Sequence, residues 1–307
     1  MNNVDTAQGI SNIEVYRRRI ESGITANLEW LVQGPLCQAF SYSLLETSSN
    51  RFRSILTLMT GKAAGGDVDL MDAAVGVECL VTAAKTADDL PSMDNSSLRE
   101  RMPSVHMKFG SATGLLVVFS LIAAANRCFA RQAKVCQEHL EAGSSSVAER
   151  FVEVVDLVGR KIGASGACLG QYWDLHVAPP QPESRMVEII DAKTGALYEM
   201  AAEVGWLFGF GELSLRGSVG EAGERLGRIM QMQDDVADRN EDAALDRPAN
   251  LAAAFGCAAA ESRIRAEIHE FELLISSMPF DSSDLRSLSG RVLAHFDSNR
   301  AAASAAC

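Results

Sequence analysis

The sequence predicts an all-α fold, with several long antiparallel helices around a central cavity. Three observations predict it. Ala, Leu, Glu, Met and Arg, all strong helix formers, recur along the chain. Period-two alternation of β-branched residues is scarce, so the usual strand signature is missing. Breakers such as Gly34-Pro35 and Gly65-Gly66 cut the chain into helix-length pieces.

A first helix is expected over 13–33, stopped by Gly34-Pro35. A second, over 36–46, leads into a polar stretch, and a third, over 52–64, ends at Gly65-Gly66. The fourth, over 69–90, carries the Ala-rich segment Val75 to Ala87 and ends at Pro91, whose ring and missing N–H stop a helix. A fifth covers 107–130 and holds the most apolar segment, Ala112 to Ala125. Gly143-Ser144-Ser145-Ser146 introduces a sixth over 146–163, and Pro179-Pro180 precedes a seventh over 184–205. An eighth covers 219–239, and Pro248 separates it from the last two, over 258–277 and 283–300. These ends are placed to within about two to four residues. No linker is long or charged enough to divide the chain, so residues 1–307 are expected to form one domain, with 1–12 and 301–307 disordered.

With 307 residues and 47% hydrophobic content, the chain can bury a large core. Its net charge is −12 and its pI near 4.9, which argues against nucleic acid, whose phosphates would be repelled. A phosphorylated small substrate stays open, because bound metal ions invert the local field. Ala112 to Ala125 is too short and interrupted to span a bilayer, and Met1 to Ser11 lacks a secretory pattern. The seven cysteines show no short paired spacing and read as reduced core thiols, so a cytoplasmic location is expected.

Two aspartate clusters carry the chemistry. Asp88-Asp89-Leu90-Pro91-Ser92-Met93-Asp94 ends the Ala-rich helix, and the bend at Pro91 can return Asp94 toward the first pair. Asp234 and Asp238 are four apart and share a helical face, with Asp235 beside them. Like charges at that spacing destabilise a bare helix, which calls for a cation. Taken alone, the second cluster reads equally as a solvated acidic helix end, with Glu241 and Asp242 just downstream. Together, two such carboxylate sets suit hard divalent cations, whose natural companion is a diphosphate.

Asp88 to Asn95 resembles the first aspartate-rich motif of trans-isoprenyl diphosphate synthases, in the form with two extra residues. Gln231 to Asp238 resembles the second. Lys193-Thr194-Gly195-Ala196-Leu197-Tyr198 is similar to the family's Lys-Thr motif, and Gly170-Gln171-Tyr172-Trp173-Asp174-Leu175 to its Gly-Gln-x-x-Asp-Leu segment. Arg51-Phe52-Arg53 stands where the family has Gly-Lys-Arg-x-Arg-Pro, and order and spacing hold from about residue 40 to 250. The resemblance implies the isoprenoid synthase fold, a homodimer, and a prenyltransferase that joins an allylic prenyl diphosphate to isopentenyl diphosphate.

It implies also that Asp88, Asp89, Asp94, Asp234 and Asp238 hold two or three Mg2+ ions. Arg99 and Lys193 would grip the allylic diphosphate, with Thr194 and Gln171 nearby, Asp235 ligating or supporting, and Arg51 at isopentenyl diphosphate. Asp88, Asp89, Lys193 and Asp234 are the expected catalytic group. The chemistry suits them: cations stabilise the departing diphosphate, and a dry apolar cavity protects the carbocation. Ala83 and Ala84 lie five and four residues before the aspartate pair, where the family sets chain length. Two alanines leave the floor open, implying geranylgeranyl diphosphate or a somewhat longer product, although they also read as simple packing residues. Lys85 and Thr86 are unusual for the family.

The isopentenyl half departs from the pattern. Asn50 replaces a usual lysine, Val81 a histidine and Glu100 an arginine, which leaves Arg51, with Arg101 one position away. The loop from Glu46 to Ser49 is one residue longer than usual, and after the second motif only Arg239 and Arg247 supply basic charge. Three activities fit: a prenyltransferase with an altered isopentenyl site, a class I terpene synthase-like enzyme that does not use isopentenyl diphosphate, or a weakly active or inactive partner subunit. His106, following Pro103, is expected near the mouth of the site. His139, His176, His269 and His295, and Trp30, Trp173 and Trp206, read as ordinary core or surface residues.

Overall fold

The computed structural model describes residues 2–47, 50–139, 145–178, 181–244 and 250–292, with side chains from Ile13 onward except at 145 and 240–244. The all-α expectation holds. The helices are α1 Asn2–Leu31, α2 Cys37–Leu45, α3 Phe52–Ala63, α4 Met71–Asp88, α5 Val105–Phe109, α6 Ser111–His139, α7 Ser145–Ile162, α8 Ala167–His176, α9 Glu183–Ile190, α10 Ala196–Phe208, α11 Arg216–Ala244, α12 Leu251–Phe255 and α13 Cys257–Ser277. A hairpin absent from the sequence-based expectation pairs β1 Leu98–Arg99 with β2 Met102–Pro103. Glu100 and Arg101 form its two-residue turn, both with positive φ, at 51° and 67°.

Contacts group the chain into two compact units. One comprises Glu14–Asp156 with Val204–Gly211, the other Met1–Ile13, Leu157–Glu203 and Glu212–Cys307. In the first unit α4 is central. Ala73, Ala74, Val75, Val77, Cys79, Leu80, Val81 and Ala83 are all buried, so this helix is apolar nearly all round. It packs along α6 with Gly76 pressed to Phe129. By length and composition α6 is apolar enough to cross a membrane, longer than the segment read from sequence. Its buried residues, including Val117, Leu121, Ala125 and Cys128, form the first unit's core.

Helix boundaries moved where local geometry intervened. The helix expected over 107–130 is two, because Gly110 at φ 89° breaks α5 from α6. The helix expected over 184–205 contains a π turn, Asp191–Gly195, between α9 and α10. In the second unit this turn packs on α11, where a β-carbon on Gly227 would come 2.9 Å from the Gly195 Cα. α8 and α12 were not anticipated; α12 starts on Asn250, whose side chain accepts from the Ala253 N–H at 2.7 Å.

Candidate active site

In the first unit the aspartate motif forms a closed loop. α4 ends with the Leu90 N–H bonded to the Ala87 carbonyl at 3.1 Å, and the chain then doubles back. The Asp94 N–H donates to the Asp88 carbonyl at 2.9 Å, so Asp94 returns to the start of the motif. Asn95 takes a left-handed φ of 50°, as asparagine tolerates. Asp88 and Asp94 are half-buried, whereas Asp89 is buried.

Arg99 on β1 is the centre of charge. It donates from Nε to both Asp89 oxygens at 3.2 Å and from Nη2 to one of them. Burial works against the Arg99 charge, but Asp89, then Asp88 and Asp94, outweigh it and raise its pKa. Burial raises the Asp89 pKa, opposed by Arg99 and by His106, and reinforced by Asp94. His106 is buried beside Asp89, its Nδ1 paired with Ser104 Oγ at 3.0 Å and its Nε2 without a partner.

Arg99 thus shows that these carboxylates concentrate enough negative charge to hold a cation. Among the described residues no three His, Cys, Asp or Glu side chains converge into a complete metal cage. Mg2+ takes one or two carboxylates, with water and substrate phosphate oxygens completing its shell. The donor chemistry of Asp88, Asp89 and Asp94 therefore fits the ion.

Arg51 is a correction. Expected at isopentenyl diphosphate, it is instead sealed inside the first unit, its side chain 1% exposed against Glu78 at 2%. It donates to Glu78 Oε1 at 2.7 Å and to the Leu44 carbonyl at 2.6 Å, while Ser54 Oγ donates to Glu78 Oε2 at 2.5 Å. A φ of 53° at the start of α3 turns it inward. Asn50 is exposed and its Oδ1 accepts from the Phe52 N–H at 3.4 Å; Val81 is buried. Glu100 and Arg101 are exposed at the hairpin tip, and Glu100 acts on Lys85. Of the Glu46–Ser49 loop, residues 48 and 49 lie outside the described residues, as does Arg247. Ala83 is buried and Ala84 half-buried on α4.

The second unit carries the remaining motifs. α8 crosses the π turn so closely that a β-carbon on Gly170 would sit 2.2 Å from the Lys193 nitrogen, so only glycine fits. Gln171 follows, 8% exposed, with both amide atoms lacking a hydrogen-bond partner. Such a side chain is costly unless something polar arrives. Within the π turn, Lys193 Nζ donates to Asp174 Oδ2 at 2.5 Å. π turns are frequent at functional positions. Asp191 is held by Arg228 at 2.7 and 2.8 Å, which fixes the turn to α11.

The second aspartate cluster divides by one helical step. Asp234 and Asp238 are exposed, while Asp235 is 4% exposed. Thr194 Oγ1 donates to Gln231 Oε1 at 2.9 Å, and Gln231 Nε2 donates to Asp235 Oδ1 at 3.0 Å. Asp235 Oδ2 accepts from the Leu251 N–H at 2.9 Å. Asp235 therefore braces Gln231 and the start of α12 from behind, the supporting side of the ligating or supporting role expected for it. Arg239 is exposed, with Nη1 at 3.1 Å from Cys257 Sγ. Asp174, which pairs with Lys193, is marked in the sequence only by its place in the segment from Gly170 to Leu175.

Residues 34–249 match the family model described as polyprenyl synthetase. A farnesyl diphosphate synthase of Haemophilus influenzae is 29% identical over 238 residues, covering 76% of this chain and 77% of that one. Geranylgeranyl pyrophosphate synthase 12, chloroplastic, of Arabidopsis thaliana is 31% identical over 234 residues, 73% of this chain and 62% of the relative. A geranyltransferase from Legionella pneumophila superposes with a TM-score of 0.79 at 24% identity, covering 94% of this chain and 97% of that one. A FPP/GFPP synthase from Zymomonas mobilis gives 0.76 at 23%, covering 92% and 98%. These structures share the isoprenoid synthase fold with this chain.

Proposed function

The chain belongs to the polyprenyl synthetase family, and on that premise we propose that it joins an allylic prenyl diphosphate to isopentenyl diphosphate as a geranylgeranyl diphosphate synthase. The observation that carries this reading is Arg99 held among Asp88, Asp89 and Asp94 on a loop closed by its own backbone. Asp88, Asp89 and Asp94 in one unit, and Asp234 with Asp238 in the other, would hold Mg2+. When bound, Mg2+ neutralises charge on the diphosphate leaving group. Arg99 and Lys193 bind that diphosphate and favour its departure, because their attraction grows as the bridging C–O bond breaks. Asp174 aims Lys193, and Asp235, through Gln231, holds Thr194. Gln171 offers its unpaired amide to the same polar ligand.

The apolar face of α4 then shields the allylic carbon from water. The isopentenyl double bond attacks it, and loss of a proton restores an alkene. Ala83 and Ala84 leave room for a long product, which favours twenty carbons. Relatives bear both farnesyl and geranylgeranyl names, so the product assay decides chain length. Within the same reading the protein is a cytoplasmic homodimer, consistent with the unbridged cysteines Cys37, Cys79, Cys128, Cys136, Cys168 and Cys257.

The test is incubation with Mg2+ and dimethylallyl, geranyl or farnesyl diphosphate, with and without isopentenyl diphosphate. Elongated diphosphates made only when isopentenyl diphosphate is present are expected. Burial of Arg51 favours one competitor, the class I terpene synthase-like activity, which predicts hydrocarbon or alcohol without isopentenyl diphosphate. No turnover, with Asp88→Ala and Asp234→Ala like the parent, is the signature of a partner subunit.

A further inference from the structure

Arg99 reaches Asp89 from a hairpin that is poorly able to hold itself. β1 and β2 pair over two residues each, Leu98 with Pro103 and Arg99 with Met102. A lone two-stranded ribbon is marginal in water, and these strands are shorter than ordinary ones. The turn adds a cost, because Glu100 and Arg101 both sit at positive φ, 51° and 67°, where β-carbons are crowded. At its base the Ser104 N–H donates to the Ser97 carbonyl at 3.0 Å.

An anchor comes from a distant element. Tyr42 on α2 is 2% exposed, and its hydroxyl donates to the Pro103 carbonyl at 2.6 Å, across 61 positions of chain. That carbonyl is one residue from the Arg99–Met102 pair. The Tyr42 ring is itself fixed. Lys108 Nζ lies 3.6 Å from its centroid, and Phe109 meets it edge-on at 5.4 Å and 71°. The Lys108 N–H donates in turn to the Ser104 carbonyl at 3.1 Å, so the turn of helix that grips the ring grows from the end of the hairpin. Burial, then Glu46, raise the Tyr42 pKa, so the hydroxyl keeps its proton and donates.

We propose that Tyr42 is a positioning residue for the reaction: its hydroxyl holds β2, and through β2 it aims Arg99 at the allylic diphosphate. This rests on the reading of Arg99 as part of the diphosphate grip and deepens it. Asp89 takes the Arg99 Nε and Nη2 donors. The guanidinium is a rigid planar fork, so the N–H groups left for a ligand point where the backbone of β1 directs them. A shift of about 1 Å in such a group is enough to weaken its contact with a reacting substrate severely. Phenylalanine at 42 would keep the contacts with Lys108 and Phe109 and remove only the bond to β2.

The experiment is calorimetric titration of the full chain with farnesyl diphosphate and Mg2+, for the parent, Tyr42→Phe, Arg99→Met and the double variant, with elongation by the parent assayed alongside. Tyr42→Phe is expected to weaken binding about 3- to 10-fold, the worth of one hydrogen bond, and Arg99→Met about 10- to 100-fold. Adding Tyr42→Phe to Arg99→Met is expected to change binding by less than about 2-fold, because the anchor then has no guanidinium to aim. A residue that only stabilises the fold would cost the same factor in both backgrounds. Lys108→Met, which unpins the ring but keeps the hydroxyl, is expected to lose about 2- to 5-fold, again only when Arg99 is present. Should Tyr42→Phe not fold, Lys108→Met decides by the same comparison. The positioning role is overturned if the parent does not bind farnesyl diphosphate, if Tyr42→Phe binds it like the parent, or if the loss is the same with and without Arg99. Elongation by the parent with an Arg99-independent loss overturns the positioning role and leaves the function. An Arg99-dependent loss without elongation supports the positioning role and overturns the function.

Discussion

Replacing Arg51 by Met separates a buried support from a substrate contact. The parent pair is almost sealed, Arg51 1% and Glu78 2% exposed, with Arg51 donating at 2.7 Å to Glu78 and at 2.6 Å to the Leu44 carbonyl. Met fills a similar volume but takes the guanidinium away from the buried Glu78 carboxylate, to which Ser54 Oγ donates. Breaking such a pair by removing one partner costs about 3–5 kcal/mol, chiefly because the remaining charge is uncompensated. At about 2–4 °C per kcal/mol, Arg51→Met should melt about 6–20 °C below the parent. The double variant Arg51→Met/Glu78→Leu should regain all but about 1–2 kcal/mol, the residue being the orphaned Leu44 carbonyl and Ser54 hydroxyl. The assay is thermal unfolding followed by circular dichroism, with KM for isopentenyl diphosphate measured alongside. An Arg51→Met protein that melts within about 2 °C of the parent, less than a single lost hydrogen bond, and shows a KM raised about tenfold or more would refute the support role.

Gly170→Ala forces a β-carbon into the Lys193 backbone, where the parent leaves 2.2 Å, and should cost about 1–3 kcal/mol and weaken farnesyl diphosphate binding by calorimetry. Glu224→Gln should raise the melting temperature at neutral pH. Burial, then Asp191 and Glu199, raise the Glu224 pKa above 4.5, so the folded state holds its proton to higher pH than the unfolded chain. Stability contributed by that proton is therefore lost as pH rises from 4.5 through the raised value, and the advantage of glutamine grows over the same interval. The measurement is melting temperature against pH for both proteins, and parallel curves would contradict it. Ala84→Phe should shorten the product, read by chromatography of dephosphorylated alcohols, whereas an unchanged product would mean that α4 does not limit chain length there.

Much of the fold was legible because helix formation is decided locally. The Ala-rich run before Pro91 specifies α4 and its end, and Gly34-Pro35 and Gly65-Gly66 mark real turns. The features that escaped involve partners distant in the chain. The π turn at Asp191–Gly195 is held by Arg228 from α11, and α12 leans on Asp235, which no local pattern announces. The Glu100-Arg101 turn lacks the glycine or asparagine that advertises a two-residue hairpin.

By itself the sequence determined the fold class, the two aspartate motifs and the residue types around a diphosphate, because these depend on composition, breakers and spacing. Only tertiary structure decided which side chains face inward. Asp234 and Asp235 differ by one residue, yet a helical step of about 100° exposes one and buries the other beneath Thr194 and Gln231. Arg51 and Arg53 differ by two, yet a left-handed φ sends the first onto Glu78 and leaves the second near Lys85. Charge is written in the sequence, but whether it meets a buried carboxylate or an open ligand site depends on what the fold packs against it.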